Sequence, residues 1–246
     1  MSVADDWDAH WSQFGAAAES SPAAGYRMRL ILEALRRSGC GPQSRILDIG
    51  SGQGEIAGAL CQQFPGAQVM GVELSATGVK AASERVPSAR FHRRDLLSAE
   101  PGPSPEFRAT HAVCSEVIEH LDQPSTLLAN ASEYMAPGCC VVVTVPGGPM
   151  TAFDRHIGHR QHYTPGSLAQ LLAASGYRVE MSLGAGFPFF NLYRLAVKLR
   201  GEALLTDVSG PPSLAARSAM SMFNLLFHLN ASRWGWQNVA IARLTL

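Results

Sequence analysis

Residues 153–163, FDRHIGHRQHY, gather the densest set of reactive side chains in this sequence: Asp154, His156, His159 and His162. An imidazole titrates near pH 6.5, so a neutral ring is available at physiological pH to take a proton from a hydroxyl, a phenol or a carbon acid. Any of the three histidines qualifies as a general base. The plainer alternative is that they hydrogen-bond their own loop into place. Their three-residue steps also offer three metal ligands, but Gly158 interrupts any helix and successive steps of three drift around it, so no metal is expected. A second group, SEVIEHL, sets Glu116 and Glu119 beside His120. These acids either face a cation or cap the helix that follows, and His120 reads as a positioning group before a base. Cys114 reads as a small core residue rather than a nucleophile.

A frame that could hold these groups is visible upstream. Ile46, Leu47 and Ile49 form a short apolar strand that carries Asp48 and breaks into Gly50-Ser51-Gly52-Gln53-Gly54. After Glu55, residues Ile56, Ala59, Leu60 and Phe64 recur at helical spacing. A strand, a glycine loop and a helix make the first crossover of a nucleotide-binding α/β fold. Gln68–Glu73 reads as the second strand, ending in an acid nineteen residues beyond Gly54. A carboxylate there accepts from both ribose hydroxyls of an adenosine. The dinucleotide fingerprint would put a third glycine at position 55, where this chain has Glu55, a negative charge in the place of two phosphates. The loop therefore argues against NAD and for an adenosine cofactor without phosphates, which S-adenosylmethionine fits.

The stretches LDIGSGQGE (47–55), GVELS (71–75), RRDLL (93–97) and CSEVIEHL (114–121) stand in the order and spacing of a known family. Over roughly residues 26–183 the chain resembles the class I S-adenosylmethionine-dependent methyltransferases, of the branch that includes ubiquinone-type O-methyltransferases. The resemblance implies a Rossmann-like, seven-stranded, mostly parallel sheet with helices on both faces. It implies a cofactor site built from Asp48, Gly50, Ser51, Gly52, Gly54, Glu73, Leu74, Leu96, Ser115 and Glu116. Asp95 would accept from the adenine amino group, unless it pairs with Arg90, Arg93 or Arg94. Arg27 or Arg29, on an N-terminal helix, would meet the cofactor carboxylate, unless it is a solvated helix charge.

The rest of the pattern fits one core with a smaller appendage. With 246 residues, 46% of them hydrophobic, the chain can bury one sizeable core plus a lid. Lys+Arg and Asp+Glu are equal at 20 each, and no basic block stands out, which demotes a nucleic-acid partner. The N-terminus has Asp5, Asp6 and Asp8 instead of a basic start and apolar run, no stretch of about eighteen apolar residues occurs, and the five cysteines are scattered. A cytoplasmic protein with reduced thiols is the expectation. Trp7, Trp11 and Phe14 suggest a short N-terminal arm, and Tyr26–Arg37 a helix with Met28, Leu32 and Leu35 on its inner side. Ser75 should cap a helix running to Val86, Arg90–Arg94 form the third strand, and the prolines of 98–106 keep that stretch a loop. Strand four spans Ala109–Cys114, a helix opens at Pro124 and ends at Pro137-Gly138, and Cys139–Val145 is a strand buried on both faces. Thr164 and Pro165 open the next helix, Gly176 closes it, and Tyr177–Leu183 is strand six.

About fifty residues then intervene before Trp236–Leu246, read as an antiparallel seventh strand. The expected organisation is an N-terminal cap (1–40), a cofactor domain (41–183 and 234–246) and a helical insert (184–233). The insert is rich in aromatics and leucine. It either roofs a pocket for a hydrophobic or aromatic small molecule, or forms an interface with a second copy or a membrane surface, since Arg194, Lys198 and Arg200 edge an apolar helix. The leading functional expectation is a small-molecule O-methyltransferase using a histidine to assist in-line transfer. Nitrogen or carbon methylation, a non-catalytic S-adenosylmethionine-binding scaffold, and a dehydrogenase (disfavoured by Glu55) are the alternatives. The Asn/Asp-Pro-Pro-aromatic motif of nucleic-acid amino-methyltransferases is replaced here by SEVIEH.

Overall fold

The computed structural model describes residues 7–8, 21–98, 107–200 and 214–245. Trp11, Phe14 and most of the proline-rich 98–106 stretch lie outside them. The chain runs α1 (Pro22–Arg37), β1 (Arg45–Ile49), α2 (Glu55–Gln63), β2 (Gln68–Glu73), α3 (Ala76–Arg85), β3 (Arg90–Arg93) and β4 (Ala109–Ser115). It continues α4 (Pro124–Ser132), β5 (Met135–Pro146), α5 (Ala152–His156), α6 (Pro165–Ala174), β6 (Tyr177–Ala185), α7 (Phe189–Arg200), α8 (Leu214–Leu226) and β7 (Gln237–Leu244). One seven-stranded sheet results, in the order β3-β2-β1-β4-β5-β7-β6. The first five strands are parallel, and β7 is antiparallel to both β5 and β6.

Alternation along β5 explains the two-sided core. Cys139, Val141, Val143 and Val145 face α4 and α6, where Leu127, Leu128, Leu168 and Leu172 are buried. Cys140 and Val142 face α1 and α2, against Ile31, Leu35, Ala57 and Leu60. Each such side chain, fully buried, contributes about 1.5–3 kcal/mol of transfer free energy. The adjacent cysteines thus point to opposite faces.

Several boundaries differ from the sequence expectation. The helix after Pro124 ends at Ser132 rather than at Pro137-Gly138, and β5 starts at Met135 and runs through that dipeptide. Pro137 is tolerated because the β4–β5 register shifts between Ala109 and His111, so no regular ladder bond is demanded of it. Helix α1 starts four residues early, where Ser21 caps it by accepting from the Ala24 amide, and it buries Tyr26, Ile31, Ala34 and Leu35. Met28 and Leu32 are only half-buried, because the helix is clamped between the sheet and the later helices and its seam turns accordingly. Strand β6 runs two residues longer, to Ala185.

Helices α7 and α8 sit over α1 through aromatic rings. Phe190 and Phe227 are buried against Tyr26, with ring centroids 5.1 and 5.4 Å from it. No helix among the described residues is long and apolar enough to cross a membrane.

Candidate active site

A cleft of about 1320 Å³ lies across the carboxyl ends of β1, β2 and β4, bounded by the glycine loop, α1 and α7. That exceeds the ~300–1,000 Å³ of a typical small-molecule site and leaves room for two ligands side by side. The glycine loop forms its floor. Gly54 sits at φ +84°, where a Cβ would approach Ala82 to 3.1 Å, and Gly50 at φ +70°, where a Cβ would be 2.5 Å from Val117. Neither position admits another residue without movement. Glu73 is buried at the wall: Oε2 accepts from the Gly52 amide (2.8 Å) and Oε1 from the Ser75 amide (2.9 Å). Burial raises its pKa while these two bonds oppose the rise. Each oxygen keeps a second lone pair for a ligand.

Of the twelve residues expected to hold the cofactor, eleven line this cleft: Arg27, Gly50, Ser51, Gly52, Gly54, Glu73, Leu74, Asp95, Leu96, Ser115 and Glu116. Asp48 does not. It is fully buried beneath the loop, because it shares the α1/α2 side of β1 with Ile46, and its oxygens find no hydrogen-bond partner among the described side-chain contacts. Burial, then the neighbouring Glu55 and Glu73, push its pKa up to about 8. Asp95 accepts from the Leu97 amide, while Arg94 reaches away to Tyr134 and Glu133. Glu55 pairs with Arg85 at 2.7 Å across the entrance to α2. Arg27 faces Glu116 at 3.6 Å, and Gln237 donates to the other oxygen of Glu116. Glu116 has φ +55°, a strained value for a residue with a side chain, at the point where β4 leaves the sheet. Arg29 instead contacts His228.

At the other end of the cleft stand the histidines. Glu119 and His120 lie on a single 3₁₀ turn after β4. The backbone carbonyl of Glu119 accepts from the Arg160 and Gln161 amides, at 2.8 and 3.3 Å, which draws the loop after α5 alongside. His159 therefore packs edge-on to His120 with ring centroids 4.8 Å apart, and Trp7 packs on the other edge of His120 at 5.0 Å. His162 lies behind His159 and off the cleft. Its Nδ1 is 3.1 Å from the Gly148 carbonyl, and its Nε2 is 3.1 Å from His159 Nδ1. A carbonyl only accepts, so His162 carries its proton on Nδ1; as a neutral ring it accepts at Nε2, and His159 donates from Nδ1. The relay leaves His159 with a bare Nε2. Burial, then His120, His162 and Arg194, hold its pKa down at about 3, and burial lowers that of His162. His156, exposed on α5, lines the cleft mouth and joins none of these contacts.

Asp154 is buried and gathers Lys198 (3.0 Å), Arg194 (3.4 Å) and His162 (3.6 Å). Burial opposes its ionisation, but bonds from the Thr151 hydroxyl and amide and from Lys198 bring its pKa to about 2. Glu119 is the converse: fully buried, with neither carboxylate oxygen hydrogen-bonded among the described residues, and its pKa raised by burial and by Glu116.

A family model described as a methyltransferase domain matches residues 23–181. The chain belongs to the class I S-adenosylmethionine-dependent methyltransferase family. Among its relatives is the trans-aconitate 2-methyltransferase of Methylobacterium nodulans, 27% identical over 177 residues, covering 72% of this chain and 64% of that protein. The chain thus spans less than two thirds of that relative's length. Two solved structures share the fold. A putative sarcosine dimethylglycine methyltransferase from Galdieria sulphuraria has TM-score 0.63 at 14% identity, covering 90% of this chain and 86% of that one. A phosphoethanolamine N-methyltransferase 2 from Haemonchus contortus, in complex with S-adenosyl-L-methionine, has TM-score 0.58 at 22% identity, covering 87% and 52%.

Two features of the site are not legible in the sequence. The sequence puts Arg194 and Lys198 at the edge of an apolar helix that roofs a pocket or forms an interface; both turn inward, and only 15% and 5% of their side chains is exposed. Their spacing of four on α7 puts both over Asp154, and only the folded partner shows which way they turn. Glu119, which the sequence leaves either facing a cation or capping the next helix, is the most deeply buried acid at the acceptor end.

Proposed function

We propose that the protein transfers a methyl group from S-adenosylmethionine to an oxygen of a small molecule, with histidine assistance at the acceptor end. The observation that carries this reading is the continuity of the cleft, from Glu73 and the glycine loop at one end to His120 and His159 at the other. The donor residues fit the cofactor. Glu73 is assigned the ribose hydroxyls, Asp95 on the cleft wall the adenine amino group, and Arg27 and Glu116, an opposed pair, the carboxylate and amino group of a zwitterion. When bound, S-adenosylmethionine supplies a methyl on a sulfonium whose leaving group is a neutral thioether.

The chain's own task is then alignment and exclusion of water. Trp7, Leu121, Ile157, Tyr193 and Val197 give the acceptor end an apolar wall, and His120, His159, Arg194 and Lys198 a polar one. A small acceptor with an apolar body and an oxygen acid at one end suits both walls. His159 presents an unprotonated Nε2 to that oxygen. The relative's acceptor, trans-aconitate, is a carboxylic acid and belongs at the head of the trial panel.

The test is calorimetry with S-adenosylmethionine and with NAD, then measurement of S-adenosylhomocysteine release with a panel of carboxylic acids, phenols and alcohols. Binding of S-adenosylmethionine alone, with turnover on at least one oxygen acid and a large kcat loss in His159→Ala, is the expected result. Binding without release across the panel would establish the scaffold alternative instead.

A further inference from the structure

We propose that Arg194 binds an anionic group of the acceptor, a carboxylate or phosphate separate from the oxygen that takes the methyl. The proposal rests on the methyl-transfer reading above and adds to it the charge of the substrate. It starts from one face of α7. Tyr193, Arg194, Val197 and Lys198 recur at helical spacing, and all four line the cleft. That face offers an acceptor an apolar surface with a cationic one beside it.

The two cations do different work. Lys198 is fully engaged: it pairs with Asp154 Oδ2 at 3.0 Å, donates to the Pro149 carbonyl, and lies 5.8 Å from the centre of the Trp236 ring. That same Oδ2 also accepts from the Thr151 amide and hydroxyl. Arg194 touches only the other oxygen, through Nη2, at a long 3.4 Å. Its Nε and Nη1 have no partner among the described residues, and they are not sealed from the cleft. A guanidinium holds its N–H groups in a planar fork that suits a carboxylate or a phosphate. Asp154 thus aims the fork and leaves most of its donors for a ligand.

The charge balance points the same way. Ionised Asp154 sets one negative charge against the two cations of Arg194 and Lys198. Glu119 lies close enough to feel Arg194, yet it does not supply the second. It is fully buried, its oxygens bond to nothing among the described residues, and burial favours its neutral form. Glu116 already faces Arg27, and Asp122 already holds Arg160. One positive charge is left over at the acceptor end, beside the apolar Tyr193, Val197 and Ile157, where water screens it poorly. An anionic group on the acceptor completes the balance, and a neutral one does not.

The test uses the full chain, titrated by calorimetry with and without saturating S-adenosylhomocysteine. Three probes share a phenol on an apolar ring: 4-hydroxyphenylacetate, 4-hydroxyphenyl phosphate and the neutral 4-hydroxyphenylacetamide. At least one anion should bind about tenfold or more tightly than the amide, and the advantage should shrink as salt is raised. Which anion leads tells carboxylate from phosphate. Arg194→Met should abolish the advantage and Arg194→Lys restore part of it. Both should keep the wild-type affinity for S-adenosylhomocysteine, which also shows that they fold. Wild-type affinity no higher for either anion than for the amide, or an advantage that survives in Arg194→Met, would overturn the proposal and leave Arg194 a tie between α7 and Asp154. The wild-type comparison decides the matter even where a variant misfolds. An anion preference without S-adenosylhomocysteine release across the acceptor panel would sink the methyl-transfer reading and leave the anion site standing.

Discussion

Replacing Glu73 by glutamine tests the donor end of the cleft most directly. The carboxylate satisfies two buried amides, Gly52 at 2.8 Å and Ser75 at 2.9 Å, one on each oxygen. Glutamine keeps one acceptor oxygen and sets an NH2 group against the other amide. One buried donor is then unsatisfied, at a cost of about 1–3 kcal/mol to the folded state. The ribose hydroxyls lose a charged acceptor as well. A hydrogen bond to a charged group is worth about 1.5–3 kcal/mol, so loss of one weakens S-adenosylmethionine binding by roughly 10–150-fold. The two effects are measured separately, by thermal unfolding without ligand and by calorimetric titration of S-adenosylmethionine at a temperature where the variant is folded. A variant that loses stability but binds S-adenosylmethionine within about threefold of wild type would show that Glu73 braces the glycine loop and touches no sugar.

Three further outcomes follow from particular side chains. Asp48 has a folded pKa near 8, above its unfolded value of about 3.9, so the stability it lends is complete below pH ~4 and is lost as pH rises toward 8. Melting temperatures between pH 5 and 8 should fall less steeply in Asp48→Asn, and an unchanged slope would refute the assignment. Phe190→Ala empties a fully buried position between Tyr26 and Phe227 and should cost about 3–5 kcal/mol in denaturant unfolding; a loss under about 1 kcal/mol would mean that α7 is not seated through this ring. Arg27→Met removes the cation opposite Glu116 and should raise the Kd for S-adenosylmethionine by about tenfold or more, with the acceptor KM little changed; an unaltered Kd would return Arg27 to the role of a surface charge.

What the sequence disclosed was mainly local chemistry. The glycine loop, the acid at the end of β2 and the apolar run of β5 are each contained in a short window, where spacing alone states what the backbone must do. The end of α4 misled because Pro137-Gly138 reads as a stop, while a register shift against β4 lets the strand run through it. The direction of Arg194 and Lys198 was hidden for a different reason. Their partner, Asp154, lies forty residues or more upstream, and nothing local to α7 distinguishes an inward cation from an outward one. The same holds for His159 and His162. Three equivalent histidines in sequence become three different groups once Gly148, His120 and solvent each claim one.

The position of β7 carries a consequence for how the molecule comes apart. Among the described residues β6, at the far edge of the sheet, bonds to β7 alone, and α7 and α8 hang on the chain between those two strands. Prying β7 loose would strip β6 of its backbone partners and slacken both tethers of the helices over the cleft at once. The roof and that border of the sheet are thus one cooperative unit, and opening measured at the helices by hydrogen exchange should share its free energy with opening measured at β6.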